Sequence, residues 1–196
     1  MPALRKVIKP FHDLALDEID IALASPVHEH RMAALLICDA QAGRARRRGD
    51  AAEQKRLYDF YLAHTARINN WDLVDVTCRE VIGEYLFAVD DVKPLRKLAR
   101  SKDIWERRIA MISTWSFTRA GRPEVAFEIA GILIDDEHDL IHKAVGWMLR
   151  DAGQRAPAAL DAFLEAHAAT MPRTALRYAI EKLPPQRRKE WLAHRA

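Results

Sequence analysis

The sequence predicts an all-α protein built as a stack of antiparallel helix pairs. Three observations indicate this fold. Glycine is scarce, with 7 in 196 residues, whereas the helix-favouring alanine, leucine, arginine and glutamate are plentiful. Apolar residues recur at helical spacing through nearly the whole chain, and the alternation typical of strands is confined to very short runs. A weak internal repeat also has the length of a two-helix unit.

The repeat suggests a HEAT- or armadillo-like solenoid. EHRMAALLI at 29–37 resembles ERRIAMIST at 106–114, an offset of 77 residues, which is close to two units of about forty residues each. In such a stack each helix pair buries its apolar face against the next pair, and the stack curves. We therefore expect a superhelical stack with a concave basic face, lined by one helix of each pair.

Glycine, proline, serine and asparagine mark the predicted helix boundaries. Pro26, Pro172 and Pro185 fit first-turn positions, where the missing N–H costs little. Asn70 and Ser101 fit N-caps. The predicted helices span residues 12–23, 26–47, 51–66, 71–86, 92–100, 103–117, 122–134, 137–152, 156–168, 172–181 and 185–193.

Composition and charge limit the class of protein. Hydrophobic residues make up 49% and charged residues 30% of the chain, which is typical of a globular protein and excludes a disordered one. The length suits a single domain over 1–196. The net charge of +3 and the clustering of arginine and lysine are compatible with a nucleic-acid partner. Each cluster by itself is typical of a solvated helix face.

Cysteine usage and hydropathy bear on location. Cys38 and Cys78 lie in apolar helical patterns, so each is expected to act as a small hydrophobic residue and not to form a disulfide. No signal peptide and no apolar run long enough to span a bilayer is evident. We expect a cytoplasmic protein with no membrane partner.

The stretch INNWDLVD at 68–75 places a tryptophan one helical turn before a carboxylate. On a helix, Trp71, Asp75 and Arg79 would share a face beside the core stripe. Trp71 could anchor the start of the helix, and Asp75 could pair with Arg79 at the surface. Alternatively, the indole and the carboxylate together face a ligand.

Two later helices carry further candidates. Arg107 and Arg108 point about 100° apart, so one could face the concave side while the other is solvated, and an arginine fork suits phosphate. Lys143, Trp147 and Arg150 share a face of helix 137–152. These side chains would suit a sugar–phosphate backbone.

Gly146 is an unusual residue for the interior of helix 137–152. It costs about 1 kcal/mol of helix propensity relative to alanine. That cost suggests that another helix or a ligand closely approaches this position.

Four segments, in order, resemble the bacterial DNA alkylation repair family, the AlkD-like DNA glycosylases. The segments are INNWDLVD at 68–75, WERRIA at 105–110, LIHKAVGWMLR at 140–150 and MPRTALRYAIEK at 171–182. The resemblance runs from Leu4 to Leu192, nearly the whole chain, and the family's fold is a HEAT-like superhelix. Relative to the family, the chain is expected to be N-terminally short.

The resemblance implies an enzyme that excises cationic N-alkylated purines, of the 3-methyladenine and 7-methylguanine type, from duplex DNA. It implies a monomer that uses no metal or cofactor and no deep base-flipping pocket. Asp75 matches the catalytic aspartate, Trp71 and Trp147 match sugar-contacting tryptophans, and Arg108 matches the arginine on the phosphate at the lesion. The DNA-binding residues implied by the matching motifs are Arg108, Lys143, Arg150, Arg173 and Thr174.

The residue types suit this chemistry. A purine alkylated at N3 or N7 is cationic and leaves readily, so the barrier lies in the positive charge that forms on the sugar. A fixed carboxylate near C1′ stabilises that charge and orients water. The negative faces of indole rings favour a cationic sugar by roughly 0.5–2 kcal/mol each.

Two other functions remain open from the sequence. The same fold and basic face would suit a non-catalytic module that binds DNA structures or a protein. The second function is a metal-dependent hydrolase. His138 and His142, in DDEHDLIH at 135–142, have the spacing of helical metal ligands, although no HExxH glutamate or third ligand is evident. The acidic stretch is otherwise typical of a helix N-terminus.

Overall fold

The computed structural model describes residues 2–194, which form helices and the turns between them, with no β-strand in that range. The prediction of an all-α stack of helices is confirmed. The helices group into two compact units, one ending at Val89 and the other beginning at Asp90. Within the described range, no helix has the length and apolar character needed to cross a bilayer.

The first unit is organised around its longest helix. The helices are α1 (Pro2–Val7), α2 (Leu16–Leu23), α3 (His28–Arg48), α4 (Ala51–Ala63), α5 (Trp71–Asp75) and α6 (Glu84–Ala88). The central α3 packs against α2 and α4. Gly49 ends α3 in the left-handed conformation, with φ of 68°, which suits a residue without a Cβ. Asp50 then caps α4 by accepting from the N–H of Glu53 at 3.0 Å.

The second unit has two layers of helices. Its helices are α7 (Lys93–Leu98), α8 (Ile104–Arg119), α9 (Glu124–Leu133), α10 (Asp139–Arg155), α11 (Pro157–His167), α12 (Arg173–Ala179) and α13 (Pro185–Ala193). One layer contains α8, α10 and α12, with α10 packed between the other two. The other layer contains α7, α9 and α11, again with the middle helix contacting both neighbours. Each pair thus contributes one helix to each layer.

Several predicted helix starts were wrong. The helix over Pro2–Val7 was not predicted, and the predicted helix 12–23 begins at Leu16. Ser101 does not cap α8, because Asp103 occupies that position and accepts from the N–H of Trp105 at 2.7 Å. Pro26 lies outside the first turn of α3, and Pro172 occupies the N-cap position of α12. Asn70 does occupy the predicted N-cap position, that of α5, but makes no side-chain capping bond.

Both cysteines are free and buried. Burial raises the pKa of the Cys38 thiol to about 12, so this thiol stays protonated at neutral pH. Cys38 and Cys78 are each 0% exposed. They act as small hydrophobic residues, as their sequence neighbours predict.

The close approach predicted at Gly146 is made by another helix. A Cβ at this position of α10 would lie 2.4 Å from the carbonyl oxygen of Ala175 and 2.5 Å from Cβ of Tyr178, both on α12. Real Cβ atoms essentially never come this near to another heavy atom. The glycine is therefore what allows α10 and α12 to pack closely.

Candidate functional site

The predicted helix 71–86 is not continuous. The chain forms α5 over Trp71–Asp75, a turn, a π-helical segment over Arg79–Gly83, and then α6. Trp71 and Asp75 keep their one-turn spacing inside α5. Arg79 lies beyond the break, so the three residues do not define one continuous α-helical face. Short π-helical segments often occur at functional sites.

A buried hydroxyl pair holds the chain at this break. The N–H of Thr77 donates to the carbonyl of Val74 at 3.2 Å, three residues back. Its hydroxyl donates to the carbonyl of Leu73 at 2.6 Å. Because that hydroxyl has one hydrogen, it must accept from the phenol of Tyr61 on α4, 2.9 Å away. Tyr61 and Thr77 are both fully buried, so α4 fixes the C-terminal end of the helix that carries Asp75.

We expect Thr77→Val to lower the free energy of unfolding by about 1–3 kcal/mol, because it leaves the Tyr61 hydroxyl and the Leu73 carbonyl short of a partner in a buried place. Urea denaturation monitored by circular dichroism measures this. Thr77→Ser is the matched variant, since it keeps the hydroxyl and loses only a methyl group, at about 1 kcal/mol. A valine variant as stable as wild type, or less destabilised than the serine variant, would show that the hydroxyl pair is not needed.

The first turn of α3 holds the start of α5 in place. His28 Nε2 lies 2.9 Å from Asp72 Oδ2, and the other oxygen of Asp72 accepts from the N–H of Leu73 at 2.9 Å. Arg31 donates to the side chain of Asn69 at 3.3 Å. Asp72 therefore has a structural role. Contacts from α3 hold the chain both before Trp71, at Asn69, and after it, at Asp72.

Trp71 is presented at the surface of the first unit. Its side chain is 52% exposed, whereas a tryptophan that only anchored a helix would be buried, because burial supplies most of its stabilisation. Asp75, one turn later, is partly buried. The exposed indole is thus available to a ligand, and it is not part of the apolar core.

In the second unit, neither of the adjacent arginines at the start of α8 is solvated, so the prediction that one of them would be is wrong. Arg107 pairs with Asp136 at 2.6 Å and also donates to two backbone carbonyls that precede α8. Arg108 is 5% exposed and donates to the carbonyl of Leu140 at the start of α10. A guanidinium held this deeply is fixed in position, and Arg108 remains the candidate for phosphate.

The two α10 cations predicted to bind DNA are each paired with a carboxylate. Lys143 lies 2.6 Å from Asp139, and this hydrogen bond raises the pKa of the lysine and lowers that of the aspartate. Arg150 pairs with Asp151 at 3.2 Å and with Glu181 on the segment after α12. The Lys143–Asp139 pair is exposed and contributes little to stability, so a phosphate can replace this carboxylate at small cost. Trp147 lies on the same helix and is partly buried.

The two candidates on α12 differ in their surroundings. Thr174 lies near Asp139 and helps to lower the pKa of that carboxyl, so it joins the group around Lys143. Arg173 donates to the carbonyl oxygens of Leu192 and His194, at 2.6 and 3.2 Å, and thereby binds the end of α13. Its assignment to DNA stays a prediction.

The two histidines considered as metal ligands have other hydrogen-bonding roles. His138 caps α10, with Nδ1 accepting from the N–H of Leu140 at 3.1 Å. His142 bonds through Nε2 to the carbonyl of Asp136. Within residues 2–194, no group of three or more His, Cys, Asp or Glu side chains is placed to hold a metal ion.

The chain is similar in fold to a solved structure. A protein from Enterococcus faecalis, described as a predicted DNA alkylation repair enzyme, superposes with a TM-score of 0.68. The match covers 92% of this chain and 83% of that chain at 17% sequence identity, which shows the fold alone. No curated protein matches.

The fold places the protein among all-α helical stacks of the kind seen in that structure. A family model described as DNA alkylation repair enzyme matches residues 1–183. Since this match spans most of the chain, the protein belongs to the DNA alkylation repair enzyme family.

Proposed function

We propose that the protein is a DNA glycosylase that hydrolyses the N-glycosidic bond of cationic alkylated purines, of the 3-methyladenine and 7-methylguanine type, in duplex DNA. Family membership supports repair of alkylated DNA. The observation that carries the glycosylase chemistry is on α5, where a 52% exposed indole precedes a carboxylate by one helical turn. In a protein of this family, the indole and the carboxylate are suited to stabilise the positive charge that develops on the sugar.

The reaction needs little acid catalysis. The C1′–N bond breaks with its electron pair going to the base, which leaves as a neutral purine, while positive charge develops on the sugar. The carboxylate of Asp75 stabilises this charge and accepts a hydrogen bond from the attacking water. Water then adds to C1′ and gives up a proton. Trp71, and Trp147 from α10, supply indole faces that favour the cationic sugar.

Cations of the second unit would bind the backbone. Arg108 is fixed by burial and by the Leu140 carbonyl, and its planar fork matches a phosphate. Lys143 and Arg150 would exchange their carboxylate partners for phosphate oxygens. The enzyme would thus hold the strand through its backbone with the base left in the stack. Discrimination would then come from the lability of the lesion.

Release of bases from methylated duplex DNA tests the proposal directly. We expect the wild-type protein to release 3-methyladenine or 7-methylguanine, measured by chromatography of the free bases, at a rate well above the spontaneous one. Binding of duplex DNA without any release would support the alternative, a non-catalytic module that binds DNA structures or a protein.

Arg108→Ala should weaken duplex binding and lower the salt slope of the affinity by about one unit, because one phosphate contact releases about one counterion. Fluorescence anisotropy with undamaged duplex at several salt concentrations measures both quantities. Arg107→Ala removes the same charge from the neighbouring residue, whose guanidinium is committed to Asp136. Its salt slope should match that of wild type. Equal slopes in the two variants would remove Arg108 from the phosphate contacts.

A further inference from the structure

A polar cavity lies at the other end of the α8–α10 surface from Arg108. It has a volume of about 270 Å³ and lies between the C-terminal halves of the two helices. Its lining residues are Trp115, Thr118, Arg119, Asp151, Gln154 and Arg155. The volume falls just below the roughly 300–1,000 Å³ usual for organic ligands, so a small or extended polar ligand fits best.

The cavity lies on the same face of α8 as the candidate phosphate-binding arginine. Trp115 and Arg119 follow Arg108 by seven and eleven residues. At 100° per residue, these steps bring all three side chains to within about 20° of one direction. On α10, Gln154 follows Trp147 by seven residues and so falls on that residue's face. The cavity therefore continues the surface that carries the proposed DNA contacts.

The arginine on α8 is positioned by an aromatic ring. The guanidinium carbon of Arg119 lies 5.3 Å from the centroid of the Trp115 ring. An arginine stacked on an indole gains cation–π attraction and keeps the N–H groups at its edge available for hydrogen bonds. Stacking also limits the freedom of the side chain, so less entropy is lost when it binds a ligand.

The two cavity arginines have no carboxylate partner among the described residues. Most other arginines near these helices are paired, as Arg107 is with Asp136 and Arg150 is with Asp151 and Glu181. Arg119 and Arg155 are both exposed, and neither is within ion-pair distance of an acidic group in the described part of the chain. The one carboxylate in the cavity, that of Asp151, is already paired with Arg150 at 3.2 Å. The cavity thus offers positive charge to an incoming anion.

We propose that Arg119, stacked on Trp115, and Arg155 form a second phosphate-binding site for the DNA backbone, an inference that rests on the proposed function. Eleven residues of α8 span roughly 16 Å, which corresponds to about five phosphates along one strand at 3.4 Å of helix axis each. A duplex held at Arg108 would therefore reach this site with a phosphate outside the damaged nucleotide. The site contributes affinity for any duplex, damaged or not.

The test compares two double variants that each remove two positive charges from the second unit. Arg119→Ala with Arg155→Ala removes the site. Lys97→Ala with Arg100→Ala removes exposed cations at the end of α7, in the other layer. Affinity for an undamaged duplex is measured by fluorescence anisotropy from low to moderate salt, and thermal unfolding confirms that both proteins are folded.

We expect the first double variant to bind about tenfold more weakly, with a salt slope lower by about one to two units. The control double variant, Lys97→Ala with Arg100→Ala, should keep the wild-type affinity and salt slope. The single variant Arg119→Lys should keep the wild-type salt slope, because lysine retains the charge. Its affinity should lie between those of wild type and the first double variant, because lysine lacks the planar fork that stacks on Trp115. These results would support the site even if the wild-type protein released no alkylated base. Unchanged affinity and slope in the first double variant, or equal losses in both double variants, would overturn it and leave the excision proposal standing.

Discussion

Asp75→Asn is expected to reduce the rate of base excision by about 10²–10³ while leaving duplex affinity close to wild type. Asparagine keeps the size and shape of the side chain and removes the charge that stabilises the developing sugar cation. Losing one positioned electrostatic group typically has an effect of about that magnitude on rate. Single-turnover excision from methylated duplex, with protein in excess, measures the chemical step separately from binding.

Asp59→Asn is the matched control for this experiment. Asp59 is an exposed carboxylate on α4 in the same unit, paired with Lys55 at 2.5 Å, so the variant makes the same charge change away from α5. We expect its excision rate to equal that of wild type. If Asp75→Asn also excised at the wild-type rate, Asp75 would have no catalytic role, and the assignment of the α5 pair to the sugar would fail.

Gly146→Ala is expected to destabilise the protein by about 1–3 kcal/mol. The new Cβ would meet the carbonyl oxygen of Ala175 at 2.4 Å and Cβ of Tyr178 at 2.5 Å. Neither group is the flexible end of a side chain, so α10 and α12 must move apart, at a cost typical of overpacking. The gain in helix propensity, about 1 kcal/mol, offsets only part of this cost. Urea denaturation gives the change in the free energy of unfolding.

Gly131→Ala is the same substitution at a position with free space, and it is expected to stabilise the protein. Gly131 lies within α9, is exposed, and would place its Cβ with no heavy atom inside 4 Å. Only the helix-propensity term then applies, so the variant should be stabilised by up to about 1 kcal/mol. A similar stabilisation of Gly146→Ala would contradict the close packing of α10 on α12.

The three functional conclusions rest on separate observations. Membership of the DNA alkylation repair enzyme family rests on a match over residues 1–183. The glycosylase reaction and its alkylpurine substrates rest on the chemistry of Asp75 and the indoles. The phosphate site at Arg119 concerns only DNA binding. Either of the two proposals, on excision and on the phosphate site, can therefore fail without the other.

Much of the local structure could be predicted because it depends on neighbours in the sequence. The scarcity of glycine and the helical spacing of apolar residues indicate helices throughout. The Gly49-Asp50 pair marks the boundary between α3 and α4, where the structure has a left-handed residue followed by a cap. The one-turn spacing of Trp71 and Asp75 is likewise visible in the sequence. The i+7 and i+11 spacing from Arg108 to Trp115 and Arg119 is a similar signal, although neither residue was among the predicted site residues.

Other features depend on residues distant in sequence, which helical periodicity does not specify. The break after Asp75 depends on Tyr61 from α4, which hydrogen-bonds to Thr77. The structural role of Arg107 depends on Asp136, and that of Gly146 depends on Ala175. By itself, the sequence determined the all-α class, most of the helices and the residue types suited to a cationic sugar and a phosphate backbone. Only the tertiary structure decided where a helix breaks, which arginines are already paired and which glycine faces another backbone, because packing and ion pairing are settled by contacts between separate helices.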